Sequence, residues 1–399
     1  MGAEGRRTVL SAEAIEQRLI DIRRHLHQYP ELSHKEHETT VYIRKQLEEA
    51  GIHAAAQFPL QTGLIAEVGG LQDGPVIALR ADIDALPITE ETGLPFSSKH
   101  PGVMHACGHD FHTAAMLGAA FLLKEREREL PGTVRLIFQP AEEKAAGAAK
   151  VVQSGALSGV RAIYGMHNKP DLPVGTIGIK SGPLMAAADG FLVELEGVGS
   201  HAAVPEASVD PIVVAAHVIT ALQAIVSRNV SPLESAVVSV TRLNSGTAWN
   251  VIPEKAVFDG TVRTFDEEVR ARVMKRFGEV VNGVAAAYGA KASLRWVQGP
   301  PPVNNDAALA EAAALAAERL GFKVVEPKPS PAGEDFAIYQ KQVPGFFAFV
   351  GTAGPREWHH PAFDIDERAL ASSAAFFADL AIAELNRFAA QQLPEGGGA

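Results

Sequence analysis

The stretch MHACGHD, residues 104–110, holds His105, Cys107, His109 and Asp110. Cys107 is the only cysteine in the chain and so has no internal disulfide partner. A lone cysteine is commonly a small buried hydrophobe. The Cys-x-His spacing beside an aspartate becomes a metal or nucleophile site only if other ligands converge on it. Candidates are Asp82, Asp84, the paired Glu142 and Glu143, His167, and the pair His359 and His360. Beside a divalent cation, one carboxylate of such a pair can bind the ion while its neighbour takes a proton from water. Thiolate, imidazole and carboxylate together suit Zn, Mn, Co or Ni better than Mg or Ca. The donors suffice for two ions, which lie about 3.5–4 Å apart in such centres.

These residues fall at the ends of regular elements. PVIALRAD is an apolar run ending at Asp82 and Asp84; TVRLIFQ leads to Glu142 and Glu143; VRAIYGM ends at His167; PGFFAFVGTAG precedes His359 and His360. FHTAAMLGAAFLLKERERE has helical spacing, and Cys107 and His109 enter it, where the helix dipole favours a thiolate. Strands alternating with helices predict a mostly parallel α/β sheet, which binds ligands beyond the carboxyl ends of its strands. Two helices open the chain, the second with Ser33 and Glu36 as a capping box and Gly51 as its stop. A last helix covers ERALASSAAFFADLAIAELNRF.

The middle has a different rhythm. Alternating strand patterns and two helices give the order βαββαβ over residues 187–297, a ferredoxin-like α+β arrangement. The expected organisation is a discontinuous α/β catalytic domain, residues 11–186 and 298–390, with an inserted α+β domain at 187–297 and flexible tails at 1–10 and 391–399.

The 399 residues carry 47 acidic and 36 basic side chains, a net charge of -11, which argues against a general nucleic-acid binder. One cysteine in a chain of this length fits a reducing compartment or indifference to it. No apolar h-region follows the N-terminal arginines, and no apolar run reads as a membrane span. The expectation is a cytoplasmic protein with no nucleic-acid or membrane partner. His25 and His27 read as structural, His217 as packed on an apolar helix face, and His112 as a neighbour of the ligands.

RRHLHQYPELSHKE, LRADIDALP, MHACGHDFHTAAMLGAA, FQPAEE, LPVGTIGI, NVIP, GTVRTF, GEDFAIY and HHPAFDIDE occur in order between Asp21 and Phe388. As a set they resemble the M20 metallopeptidase family, in its aminoacylase/amidohydrolase branch of hippurate hydrolases, N-acyl-L-amino-acid amidohydrolases and auxin-conjugate hydrolases. The resemblance implies two divalent ions per subunit held by Cys107 as a bridging thiolate, His109, Glu143, His167 and His359. It makes Glu142 the general base and Asp84 a carboxylate that orients a ligand. His359 is preferred to His360 because the family's histidine stands two residues before the proline. Asp82 is left out of the ligand set, because the wider family has His-x-Asp where this chain has Asp82-x-Asp84.

By the same resemblance the inserted domain is a lid and dimerisation domain. His201 would reach the partner's site and stabilise an oxyanion, while Asn250 and Arg263 hold a substrate carboxylate. Ser200, Glu206 and Trp249 depart from the family's usual residues, and Ser200 and Trp249 bear on the acyl pocket. The implied protein is a homodimeric amidohydrolase that splits a small N-acyl amino acid into a carboxylic acid and a free amino acid. A carboxypeptidase or dipeptidase with the same site, a non-catalytic carboxylate binder and a cysteine hydrolase using Cys107 are the alternatives.

Overall fold

A computed structural model describes residues 12–70 and 73–392. The tails expected at 1–10 and 391–399 lie outside these residues, except that the last helix, Ala369–Gln392, continues through Gln391 and Gln392. The chain forms two compact units. One comprises residues up to Gly182 with Asn304–Lys328 and Ile338 onward; the other comprises Pro183–Val303 and Pro329–Ala337.

The first unit is built on a seven-stranded sheet. Its order is Leu64–Gly69, Thr133–Gln139, Val76–Asp82, Val160–Lys169, Gly345–Gly351, Thr176–Gly178 and Lys323–Val325. Val76–Asp82 runs parallel to both its neighbours, and Gly345–Gly351 runs parallel to Val160–Lys169. Leu64–Gly69 pairs antiparallel with Thr133–Gln139, and Thr176–Gly178 antiparallel with Gly345–Gly351. The central strands are mostly apolar because they are covered on both faces; every residue of Gly345–Gly351 is buried. Helix Ala12–Gln28 buries Leu19, Ile22 and Leu26, spaced along one face. Each such side chain contributes about 1.5–3 kcal/mol on burial. This helix and Ala369–Gln392 pack on His109–Glu125. A Cβ at Gly118 would lie 2.7 Å from Ala374 and 2.8 Å from Leu19, so only glycine allows these helices to approach so closely.

The second unit follows the expected βαββαβ order: Ala187–Glu196, helix Pro211–Asn229, Ala236–Ser245, Lys255–Thr264, helix Glu267–Ala287 and Lys291–Val297. The spatial order is Lys291–Val297, Ala187–Glu196, Lys255–Thr264, Ala236–Ser245, all antiparallel. Phe191, Val193 and Leu195 alternate inward under the two helices. Asp210 and Asp266 cap those helices with their side chains.

Several expectations change. The second unit extends beyond 187–297, because the Ala186 N–H bonds the carbonyls of Ser330 and Ala332 and draws residues 329–337 to it. Helix Ala307–Arg319 and the strands Leu64–Gly69, Thr176–Gly178 and Lys323–Val325 were not anticipated; two of these strands have three residues each. Ser33 and Glu36 do not form a capping box: the side chain of the N-cap Glu36 makes no cap bond to helix His37–Glu49, whose Thr39 N–H donates instead to Glu31 Oε2 at 2.8 Å, and Ser33 and Glu36 bond elsewhere. Gly51, with φ of 75°, does end that helix, its N–H bonding Glu48 O at 2.9 Å. Contrary to expectation, Pro211–Asn229 and Ala369–Gln391 are long and apolar enough to cross a membrane by length and composition. Both pack apolar residues into a domain core, Val218 and Leu222 from the first, Leu370 and Phe377 from the second. His217 is not packed inward but lies on an exposed face, stacked 4.8 Å from Tyr288.

Candidate metal centre

The parallel strands deliver their polar ends to one place. Asp82 closes Val76–Asp82, and Asp84 follows it. The strand Thr133–Gln139 leads into a 3-10 turn, Glu142–Lys144. His167 lies near the end of Val160–Lys169. His109 is the first residue of its helix, and Gly108 before it has φ of 83°. A Cβ at Gly108 would stand 2.4 Å from Asn168 Nδ2, so the turn that presents Cys107 and His109 requires glycine. His359 adopts φ of 64°, and its N–H donates to Ala106 O at 2.8 Å, fastening it to the Cys107 loop.

Ligand atoms of Cys107, His109 and His167 lie within 4.8 Å of one another, as do those of Cys107, Glu143 and His359, and those of His109, Glu142 and Glu143. Cys107 Sγ is 3.3 Å from His167 Nε2. Glu143 Oε1 is 3.6 Å from His359 Nε2 and 3.9 Å from His109 Nε2. Cys107, His109 and Glu143 thus each sit in two of these donor groups. His360 is turned to its own loop, its Nδ1 accepting the Ala362 N–H at 2.9 Å.

Neighbouring bonds fix the imidazoles. The Nδ1–H of His167 donates to Asn168 O at 2.8 Å, leaving the Nε2 lone pair facing Cys107. His112 Nε2 accepts the Asn168 N–H at 2.8 Å, so its proton is on Nδ1, which donates to Asp82 Oδ1 at 2.6 Å. Asp82 Oδ2 receives Arg80 Nη1 at 2.7 Å, which commits both oxygens of Asp82 to side chains. Asp84 accepts the N–H groups of Glu142 and Glu143, both at 3.1 Å, and the Ser33 hydroxyl at 2.6 Å. Asn168 Nδ2 donates to Cys107 O at 2.6 Å. Ser33, Glu36, Arg80, Asn168 and Trp358, whose Nε1 donates to Asn168 O at 3.2 Å, support the centre without having been read as site residues. Their types carry no spacing signal; only adjacency to His167 and His359 singles out Asn168 and Trp358.

Burial would lower the pKa of His109, but Asp82, Asp84 and Glu143 push it up to about 10. Burial raises the Asp84 carboxyl, while His109 and the Ser33 hydroxyl bring it below its ordinary value. Burial and the charge of His112 hold His167 well below its ordinary value. The carboxylates thus draw positive charge to a point where both His109 ring nitrogens and Glu143 Oε1 are buried without a hydrogen-bond partner. Orphaned donors of these types fit a transition-metal ion.

The other predicted residues lie in the second unit. His201 is exposed in a two-residue strand, Ser200–His201, paired with Val251–Ile252, and the Ala202 N–H bonds Asn250 O at 3.0 Å. Arg263 lines a hollow of about 610 Å³ with Phe265 and Pro331, and its Nε donates to Pro331 O at 3.1 Å.

The family model for peptidase family M20/M25/M40 matches residues 78–383. The chain is 56% identical over 373 residues to an N-acetylcysteine deacetylase of Bacillus subtilis strain 168, covering 94% of this chain and 98% of that protein. It is 39% identical over 378 residues to an IAA-amino acid hydrolase of Arabidopsis thaliana, covering 91% of this chain and 84% of the other. Among solved structures, it resembles a Bacillus subtilis dinuclear metal binding peptidase from the M20 family at 53% identity and a TM-score of 0.86, covering 94% of this chain and 99% of that one. With Cys, His and Glu donors assembled beyond the ends of its parallel strands, the chain belongs to peptidase family M20/M25/M40 and is a metal-dependent amide hydrolase.

Proposed function

We propose that the protein hydrolyses N-acyl amino acids, with short-chain conjugates such as N-acetylcysteine as the first substrates to test. The observation that carries this reading is the assembly of Cys107, His109, Glu142, Glu143, His167 and His359 in three overlapping donor groups. Kinship with deacetylases and conjugate hydrolases of amino acids supplies the substrate class.

Cys107, His109, Glu143, His167 and His359 would hold two divalent ions, Zn, Mn, Co or Ni by the chemistry of the donors. When bound, such ions make a water more acidic and offset charge developing on the amide oxygen. Glu142 takes the proton from the attacking water and returns it to the leaving nitrogen. Asp84 keeps Glu142 and Glu143 in place through their backbone N–H groups. Asn250 and Arg263 hold the carboxylate of the amino acid. A single cysteine left reduced as a ligand suits the cytoplasm.

The protein acts as a homodimer in this reading. Ala236–Ser245 is one of the two edge strands of its sheet and exposes Val237 and Leu243, each nearly half accessible. Ten residues of open edge invite pairing with a second copy, and a two-fold axis covers both edges at once. His201 of the partner subunit would then donate to the oxyanion.

The test is a screen of N-acetyl, N-benzoyl and indole-acetyl amino acids, with free dipeptides alongside, on chelator-treated protein reloaded with each metal. Metal-restored release of amino acid from N-acyl substrates supports the reading. Turnover of dipeptides alone moves the function to a dipeptidase, and full activity in metal-free protein overturns it.

A further inference from the structure

We propose that Glu36, seconded by Ser33, is a positioning residue for the Glu142–Glu143 turn. The inference rests on the roles given above to Glu142 and Glu143. Ser33-x-x-Glu36 looks in sequence like a helix cap, but the structure gives both side chains partners far along the chain. Glu36 Oε1 accepts the Ala141 N–H at 2.9 Å, and the Ser33 hydroxyl donates to Asp84 Oδ2 at 2.6 Å. Asp84 in turn accepts the N–H groups of Glu142 and Glu143. Three consecutive amides, 141 to 143, are therefore gripped by two buried carboxyls, Glu36 and Asp84.

The turn needs such a grip. Ala141 has φ of 53° and ψ of 42°, and Ala145 at its other end has φ of 49° and ψ of 36°. Both are left-handed conformations that oppose an L residue with a Cβ. Non-glycine residues persist there only when the surroundings over-determine them, and such positions cluster at functional sites. If Ala141 relaxed to the common helical or extended region, the Cα–Cβ bonds of Glu142 and Glu143 would swing away from His109 and His359. Glu36 opposes this by engaging the Ala141 N–H inside the protein, where an unmade hydrogen bond is costly. The same Oε1 also accepts the N–H of His34, itself at φ of 69°, so one carboxyl oxygen ties two left-handed residues together. Glu36 Oε2 is buried without a hydrogen-bond partner. A plain surface cap would leave that oxygen in solvent; here its burial is tolerated for the sake of the first oxygen's reach.

Three variants and one control test this. Glu36→Leu removes the acceptor at similar size, Glu36→Gln keeps an acceptor oxygen, and Ala141→Gly removes the conformational opposition at 141. For Glu36→Leu the expected result is a fall in kcat of about 10- to 100-fold, the scale of a small misplacement of a reacting group. KM should change little. The visible spectrum of the Co(II)-loaded protein should change, since Glu143 shifts relative to the ion. Glu36→Gln should restore most of both. Ala141→Gly placed in the Glu36→Leu background should recover about tenfold in kcat, because glycine adopts the left-handed turn without help. Ser33→Ala is the milder variant and decides the matter if Glu36→Leu does not fold; it should lower kcat several-fold at an unchanged Co(II) stoichiometry. Wild-type kcat and Co(II) spectrum in folded Glu36→Leu, or in Ser33→Ala where the former is insoluble, overturn the proposal. Failure of glycine at 141 to recover any activity also overturns it. Glu142→Gln is the control. If it is inactive while Glu36→Leu is normal, only the positioning role fails; if it is fully active, the reading of the turn as catalytic fails and the positioning role with it.

Discussion

The Nε2 atom of His167 faces the Sγ atom of Cys107 across 3.3 Å, and Asn168, the next residue, donates its side-chain amide to the Cys107 carbonyl. One strand end thus fixes the thiol from two directions. The imidazole presents a lone pair and the amide sets the loop. Among the described residues this is the only cysteine, and it is buried, so its reactivity toward solvent is subordinate to what it can bind.

Replacing Cys107 by Ser should therefore act on the metal first. The hydroxyl is a harder, weaker donor than a thiolate. Metal content by atomic spectroscopy should drop, and Co(II)-loaded protein should lose its sulfur-to-metal charge-transfer band. Unchanged metal content, with activity abolished by thiol alkylation alone, would instead indicate a cysteine nucleophile.

The adjacent glutamates should separate. Glu142→Gln keeps metal but cannot accept the water proton, and the loss of a general base typically lowers the rate on the order of 10²–10⁴-fold. Glu143→Gln should lower metal content, because its Oε1 lies between His359 and His109. The reverse pattern would exchange their roles.

His359 and His360 should differ in the same way. His359 Nε2 points at Glu143, whereas His360 Nδ1 serves the Ala362 N–H. His359→Ala should cost a metal ligand, while His360→Ala should keep the full metal complement. Equal metal loss in both variants would contradict this assignment.

Mixed dimers test the action of His201 across subunits. His201→Ala and Glu142→Gln are each expected to be inactive, and a hybrid of the two has one site with both defects and one with neither. Subunit exchange should restore up to half of the wild-type activity per hybrid. Demonstrated exchange without recovery would confine His201 to its own chain, and a monomer by sedimentation would remove the idea altogether.

The buried His27 gives a stability prediction with a definite sign. Its Nδ1 is 2.8 Å from Asp110 Oδ2 and its Nε2 is 3.2 Å from Glu90 Oε1. Burial lowers its pKa, but Asp110 and Glu90 outweigh this and raise it above the ordinary value. The folded pKa exceeds the unfolded one, so this contribution is complete below about pH 6.5 and is lost as pH rises through the folded value. His27→Gln should therefore lose more urea resistance, relative to wild type, at about pH 6 than at about pH 9. A gap that widens toward alkaline pH would show that His27 is buried neutral.

The sequence by itself determined four central strands of the sheet and the approximate location of the chemistry. A parallel strand covered on both faces reads as a nearly continuous apolar run, so the ends of VIALRAD and TVRLIFQ at Asp82 and Gln139 are visible despite the buried Arg80 and Arg135 within them. An open α/β sheet gathers ligands at those ends, which is why Asp84, Glu142, Glu143 and His167 could be named together. Alternation likewise exposed the βαββαβ unit. Tertiary structure alone decided the partners of residues whose local pattern pointed elsewhere. Ser33 and Glu36 have the spacing of a cap, yet bond Asp84 and Ala141, because a carboxyl bonds the amide that folding brings nearest. His359 and His360 are chemically identical neighbours, and only the left-handed backbone at His359 and its bond to Ala106 turn one toward Glu143. The left-handed Ala141 has no sequence signal at all, since nothing in an alanine announces a conformation that its own side chain opposes.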